Sequence, residues 1–289
     1  MTDQYPADDA GRPSASGVPE DMGVAGPPWR RYVALGDSIT EGLADEDPAR
    51  PGQYCGWADR LAHHLDAALP PGERLRYANL AIRGRLIGEI ADQQVPVALD
   101  LVPDLVTLMG GTNDLLRPGA DLDRIATRLE QAVQLLRGAG IEVLLATQPD
   151  PVLVPITSRL RGRHAVLSAN VRTIADRHGC RVVDLWGVHE LRSPLAWDAD
   201  RLHLSSYGHH LASVAAAEAL GVSPSTQPGG IWRDAPAAEP AWRPDGLRRQ
   251  NVAWVGEVLI PWIGRRLTGR SSGATLSPKR SALEPVERP

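Results

Sequence analysis

Apolar residues follow two alternating rhythms between positions 31 and 221. Short runs rich in Val, Leu and Ile stand at 32–35, 76–80, 105–109, 142–146 and 181–185, and each predicts a β-strand. Longer amphipathic stretches separate them. In the clearest, Leu122, Ile125, Leu129, Val133 and Leu136 recur in steps of three and four, which gathers them on one helical face. Further helices are predicted at 57–69, 87–99, 166–178 and 207–220. Parallel strands need a helical crossover, so strand and helix in alternation predict an α/β fold. The expectation is a three-layer α/β/α sandwich around a five-stranded parallel, flavodoxin-like sheet. Sheets of this kind bind ligands beyond the carboxyl ends of their strands, so residues just after each strand are the first place to look for chemistry.

The texture differs on either side of this region. Residues 1–29 are rich in Asp, Pro, Gly and Ser and are expected to be disordered, and the main domain is expected over 30–221. A Pro/Gly/Trp-rich linker and a C-terminal amphipathic helix are expected over 222–267, with Val252, Val255, Leu259, Trp262 and Ile263 on one side and a kink at Pro261. A polar tail over 268–289 is expected to be disordered.

Composition narrows the chemistry. The chain has no Phe, so aliphatic residues must fill its core, and the apolar share of 43% is enough to build one. A net charge of −4 gives no reason to expect nucleic acid as a partner. Lys279 is the sole lysine and falls in the polar tail, which argues against phosphate-loop and Schiff-base chemistry, since both need a lysine in a structured site. Cys55 and Cys180 stand far apart and match no metal or redox spacing. With a first segment that lacks the basic and apolar regions of a secretory signal, and no run of membrane-spanning length, the expected location is the cytoplasm.

Four short segments carry chemistry. Gly36-Asp37-Ser38-Ile39-Thr40 follows the first strand, where Ser38 would stand at a helix start facing free backbone N–H groups; Asp37 or Ser38 could equally serve only as a cap. Asn79-Leu80-Ala81-Ile82-Arg83-Gly84 follows the second strand, and a glycine there permits close backbone approach or simply a turn. Gly111-Thr112-Asn113-Asp114 follows the third, where an Asn amide can either donate to an oxyanion or shape a turn. Asp200-Arg201-Leu202-His203 comes before the last helix. A carboxylate three residues before an imidazole can hold it in the tautomer that accepts a hydroxyl proton, although Asp198 is a rival for that role. His209 and His210, one turn into the helix, read as surface or packing residues.

Taken together and in this order, the segments resemble the SGNH hydrolases, also called GDSL esterases and lipases. The resemblance covers about 31–221 and substitutes no catalytic position. It implies a carboxylic ester hydrolase with Ser38 as nucleophile, His203 as general base and Asp200 as its orienting carboxylate. It further implies oxyanion donors at the Ser38 N–H, Gly84 and Asn113, and neither metal nor organic cofactor. Because a histidine base works only when neutral, activity is expected to rise with pH through about 6 to 7. The loops at 44–54 and 148–163 are candidates for an acyl pocket; Val152, Leu153, Val154 and Ile156 hint at small or medium acyl chains. Two other readings compete: a carbohydrate O-deacetylase, and a membrane-surface or partner-binding module that works through the C-terminal amphipathic segment. The expected partner is a small-molecule ester substrate.

Overall fold

The computed structural model describes residues 28–47, 50–117, 119–151, 158–224, 239–242, 254, 256–257, 273 and 275–287. Its central strand, β1 (Arg31–Gly36), is buried at every position after the first, as expected of a strand covered on both faces. On one side it pairs in parallel with β2 (Arg76–Asn79), and on the other with β3 (Leu105–Met109). Beyond β3 lie β4 (Glu142–Ala146) and β5 (Arg181–Val183), also parallel. The chain therefore steps from β1 outward to β2, then returns across β1 to β3. That reversal opens a crevice at the carboxyl ends of β1 and β3, where doubly wound sheets place their ligands.

Helices cover both faces. One layer holds α1 (Ser38–Glu41), the short turn that follows β1, and α2 (Trp57–Ala67), which packs Trp57, Leu61 and Leu65 into the same core as Ala212 and Ala216. The opposite layer buries Ile87, Ile90, Val95, Leu129, Val133, Leu136, Leu167 and Val171 against Val33, Leu35, Val106 and Leu108. The 87–99 helix expected from periodicity is there but interrupted. It runs as α3 (Ile87–Glu89), a π-helical turn (Ile90–Gln94) and α4 (Val95–Asp100). Pro96 accounts for the interruption: it has no N–H to donate and its ring crowds the preceding turn. Next come α5 (Thr112–Leu115), α6 (Leu122–Gly138), α7 (Arg161–His178) and α8 (Ser206–Ala219).

The strand count is corrected from five to six. Segment 268–289, expected to be a disordered tail, supplies β6 (Arg280–Pro285), which pairs antiparallel with β2 and makes the order β5-β4-β3-β1-β2-β6. An open β2 edge would expose a row of unpaired backbone groups, and β6 covers it. Leu283 and Val286 are buried there, and the Val286 N–H donates to the Leu75 carbonyl at 2.9 Å. Lys279 is likewise docked: its ammonium donates to the Glu41 and Tyr54 carbonyls and to Asp59 at 2.6, 2.9 and 2.6 Å.

Most of the tail over 1–29, most of the linker and helix over 222–267, and the apolar loop residues Val152, Leu153, Val154 and Ile156 lie outside the described residues. Among the described residues, no helix is long and apolar enough to cross a membrane.

Candidate active site

The first segment turns sharply as it leaves β1. Asp37 caps α1, its carboxylate accepting from the Ile39 N–H at 3.2 Å, which makes Ser38 the first residue of the helix. Gly36 permits the turn, because a Cβ there would fall 2.4 Å from Thr40 Oγ1 and 2.8 Å from the Met109 carbonyl oxygen. Gln94, from the π-helical turn, holds both backbone groups of Gly36, donating to its carbonyl at 2.9 Å and accepting from its N–H at 2.8 Å. The base of the serine turn is thereby pinned from the opposite helical layer.

The last segment forms a tight loop closed by an antiparallel bridge between Trp197 and Leu204. Within it, the Asp198 N–H donates to the His203 carbonyl at 3.0 Å and the Arg201 N–H to the Asp198 carbonyl at 2.9 Å. Asp200 Oδ1 accepts from the Leu202 and His203 N–H groups at 2.8 and 3.0 Å, and Oδ2 lies 2.5 Å from His203 Nδ1. On the far side of the ring, Nε2 is 3.0 Å from Ser38 Oγ. An ionised carboxylate can only accept, so Nδ1 carries the proton and Nε2 is left to accept the Ser38 hydroxyl. Burial opposes the charge on Asp200. The hydrogen bond and charge of His203, with the two backbone N–H groups, outweigh that effect and hold the carboxyl below its ordinary pKa. Asp198, the rival orienter, instead braces Asp200, its carboxylate standing 3.4 Å from the Asp200 N–H.

Asn113 ties the first segment to the glycine turn. Buried at the start of α5, its amide donates to Asp37 Oδ2 at 3.0 Å and to the Arg85 carbonyl at 2.9 Å. Gly84, next to Arg85, adopts φ +77°, the left-handed region that favours glycine. Among the described residues, no carbonyl accepts from the N–H of Ser38 or of Gly84. The neighbouring Arg83 is locked to Glu41 of α1 by its backbone N–H at 2.7 Å and by its guanidinium. The five positions singled out in the sequence thus fall on turns that touch: Ser38, His203 and Asp200 form one chain of contacts, and Asn113 links the Ser38 turn to that of Gly84. A cavity of about 680 Å³ lined in part by Ile87, Asp114, Arg117, Arg124 and Arg128 lies between the start of α3 and that of α6, and none of Ser38, Gly84, Asn113, Asp200 or His203 lines it. Burial pushes the Asp114 carboxyl up to about 6 there, opposed by the Ile87 N–H.

Several contributors escaped sequence reasoning. Gln94 stands next to a second glutamine, Gln93, on a helical stretch, and nothing in the letters says which of the two faces the serine turn. Glu41 and Arg83 are 42 residues apart, so only the fold pairs them. His209 packs, as expected, but in a particular way: fully buried, its Nδ1 accepts from the Trp57 N–H at 3.1 Å and so satisfies the start of α2. Among the described residues, no group of three or more His, Cys, Asp or Glu could hold a metal ion.

A family model described as the GDSL-like lipase/acylhydrolase family matches residues 34–211. Among solved structures, an alpha/beta hydrolase enzyme from the metagenome of Lake Arreo, Spain, is 25% identical with a TM-score of 0.56, covering 66% of this chain and 95% of its own. An acetyl xylan esterase variant from Geobacillus stearothermophilus is 22% identical with a TM-score of 0.57, covering 70% and 99%. A psychrotrophic esterase from Pseudoalteromonas, inhibited by monoethylphosphonate, is 18% identical with a TM-score of 0.51, covering 66% and 97%. Among curated proteins, none matches.

Proposed function

The chain belongs to the GDSL-like lipase/acylhydrolase family and is a hydrolase, and from that premise we propose that it cleaves carboxylic esters of small or medium acyl chains through an acyl-enzyme on Ser38. The observation that carries the reading is the relay from Ser38 Oγ to His203 Nε2 at 3.0 Å and from His203 Nδ1 to Asp200 at 2.5 Å.

In the proposed cycle, Ser38 Oγ attacks the ester carbonyl carbon as His203 Nε2 takes its proton. The negative charge that develops on the carbonyl oxygen is met by the N–H groups of Ser38 and Gly84 and by Asn113. Both hydrogens of the Asn113 amide already have acceptors, so it serves the oxyanion by releasing or sharing the Arg85 carbonyl. The imidazolium, steadied by the Asp200 carboxylate, then gives its proton to the departing alkoxide. Water repeats the sequence on the acyl-enzyme, freeing the acid and returning the proton to Ser38.

One observation favours a second reading, a carbohydrate O-deacetylase. It is the likeness to an acetyl xylan esterase from Geobacillus stearothermophilus. Initial rates on aryl esters of increasing acyl length and on acetylated sugars, run beside Ser38→Ala, test both. Turnover of aryl esters that vanishes in Ser38→Ala supports the first reading, and a preference for the sugar esters supports the second. Near wild-type turnover in Ser38→Ala would remove both. A cytoplasmic setting belongs to the same proposal, supported by two cysteines that are both free.

A further inference from the structure

Two residues from beyond the family-matched span grip the loop that carries Asp200 and His203. The indole of Trp254 donates from Nε1 to the Asp200 carbonyl at 2.8 Å. The next residue, Arg201, places its guanidinium between two indoles, 4.8 Å from the Trp242 ring centre and 4.9 Å from that of Trp254. Both rings and Arg201 itself are buried. Arg201 also has φ +60°, a left-handed conformation that a long L side chain rarely adopts without something to hold it. Cation–π attraction strengthens when the cation is withdrawn from water, as it is here. The backbone of residues 200 and 201 is therefore fixed from outside, at the point from which Asp200 reaches the imidazole.

Resting on the acyl-enzyme reading above, we infer that Trp254 and Trp242 are positioning residues that hold the Asp200–His203 loop in register with Ser38. Trp242 and Trp254, which follow the family-matched span, thereby brace the active site from outside it. Gly273 reaches the glycine turn too: a Cβ on it would lie 2.3 Å from the Arg83 carbonyl oxygen, so this backbone is packed directly against the residue before Gly84. A displacement of about 1 Å between nucleophile and base can slow an enzyme about 10²-fold, which sets the scale of the effect.

The test uses the full chain with three variants: Trp254→Ala, Trp254→Phe and Ser38→Ala. Trp254→Phe keeps a ring over Arg201 and removes only the N–H donor, so it separates the bond from the stack. The expected result for Trp254→Ala is a kcat about 10²-fold lower with KM within about twofold, and loss of the strongly downfield proton resonance between His203 and Asp200. Trp254→Phe should fall between the two, with kcat about tenfold lower and the resonance weakened, because the stack remains and the bond to the Asp200 carbonyl is lost. Wild-type kcat and an intact resonance in Trp254→Ala would overturn the inference, as would a rate loss that merely follows the unfolded fraction measured by circular dichroism. If Trp254→Ala does not fold, Trp254→Phe decides: an activity and resonance indistinguishable from wild type, with the same thermal midpoint, would leave the bond to Asp200 without a positioning role. Turnover that survives in Ser38→Ala sinks the acyl-enzyme reading instead, while the resonance, which needs no substrate, still reports on the loop.

Discussion

Replacing Asp200 by Asn should cripple the enzyme while barely changing its shape. The carboxylate does two separable jobs. Oδ1 accepts from the Leu202 and His203 N–H groups, and an Asn carbonyl can take over both bonds. Oδ2 sits 2.5 Å from His203 Nδ1, and there the substitution puts an NH₂ that can only donate. The imidazole answers by moving its proton to Nε2, which then faces Ser38 Oγ as a donor and cannot take the hydroxyl proton. A wrong tautomer of this kind costs about 10⁴ in kcat, or about 5.4 kcal/mol of transition-state stabilisation. The assay is kcat on a short-chain aryl ester, with the thermal midpoint measured alongside. Asp198→Asn is the control, because among the described residues the Asp198 carboxylate meets the Asp200 N–H, at 3.4 Å, and one neutral-scale hydrogen bond bounds its loss at about tenfold. Should Asp200→Asn lose less than about tenfold, or Asp198→Asn lose as much as Asp200→Asn, the assignment of orienting carboxylate is mistaken.

Three further outcomes follow from other parts of the structure. Asn113→Ala should slow hydrolysis about 10²–10³-fold, as for other single oxyanion donors, and a loss of only about twofold would remove Asn113 from that role. Stability should fall on acidification, because burial holds His164 down to about 4, and holds buried His209 well below its ordinary value against the raising effect of the Leu43 carbonyl. Both titrate near 6.5 when unfolded, so the unfolded chain binds more protons below that pH, whereas Asp114, held up to about 6, works in the opposite sense; denaturant melts of wild type and His164→Gln at pH 7 and pH 5 should isolate a His164 cost of about 2 kcal/mol, and the same pH dependence in both would contradict it. Lys279→Ala removes three bonds to a charged donor that anchor the approach to β6 and should destabilise the chain by about 1–3 kcal/mol; an unchanged urea midpoint would show that β6 docks without it.

Much of this architecture can be read in the sequence, for a physical reason. Strands buried on both faces need unbroken runs such as those at 105–109 and 142–146, and crossover helices need one apolar stripe, so both periods survive in the letters. The segments that carry Ser38, Gly84 and Asn113 stand out because they follow β1, β2 and β3, which the sheet sets side by side, whereas Asp200 and His203 lie well past β5 in the loop before α8 and are marked only by their own spacing. β6 was invisible because it is an edge strand: in Arg280–Pro285 only Leu283 points into the core, and one apolar residue makes no period. Lys279 read as a solvated tail residue because its partners, Glu41, Tyr54 and Asp59, lie more than two hundred positions away. Pro96 stands in the letters, yet a proline alone does not say whether a helix ends or accommodates it with a π-helical turn, as this one does. Trp242 and Trp254 stood out only as composition, since their meaning lies in Arg201 and Asp200, which they meet through space.

If Ser38 is the nucleophile, its Oγ becomes covalently bonded to the acyl carbon, and that bond can be trapped. The full chain is incubated with an aryl alkylphosphonate, which loses its phenolate on attack and leaves a stable phosphonyl ester, and the digest is then mapped by mass spectrometry. One adduct on the peptide that contains Ser38, absent from Ser38→Ala and strongly slowed in His203→Ala, is the predicted result. Labelling at another residue, or labelling of Ser38→Ala at the wild-type rate, would contradict it.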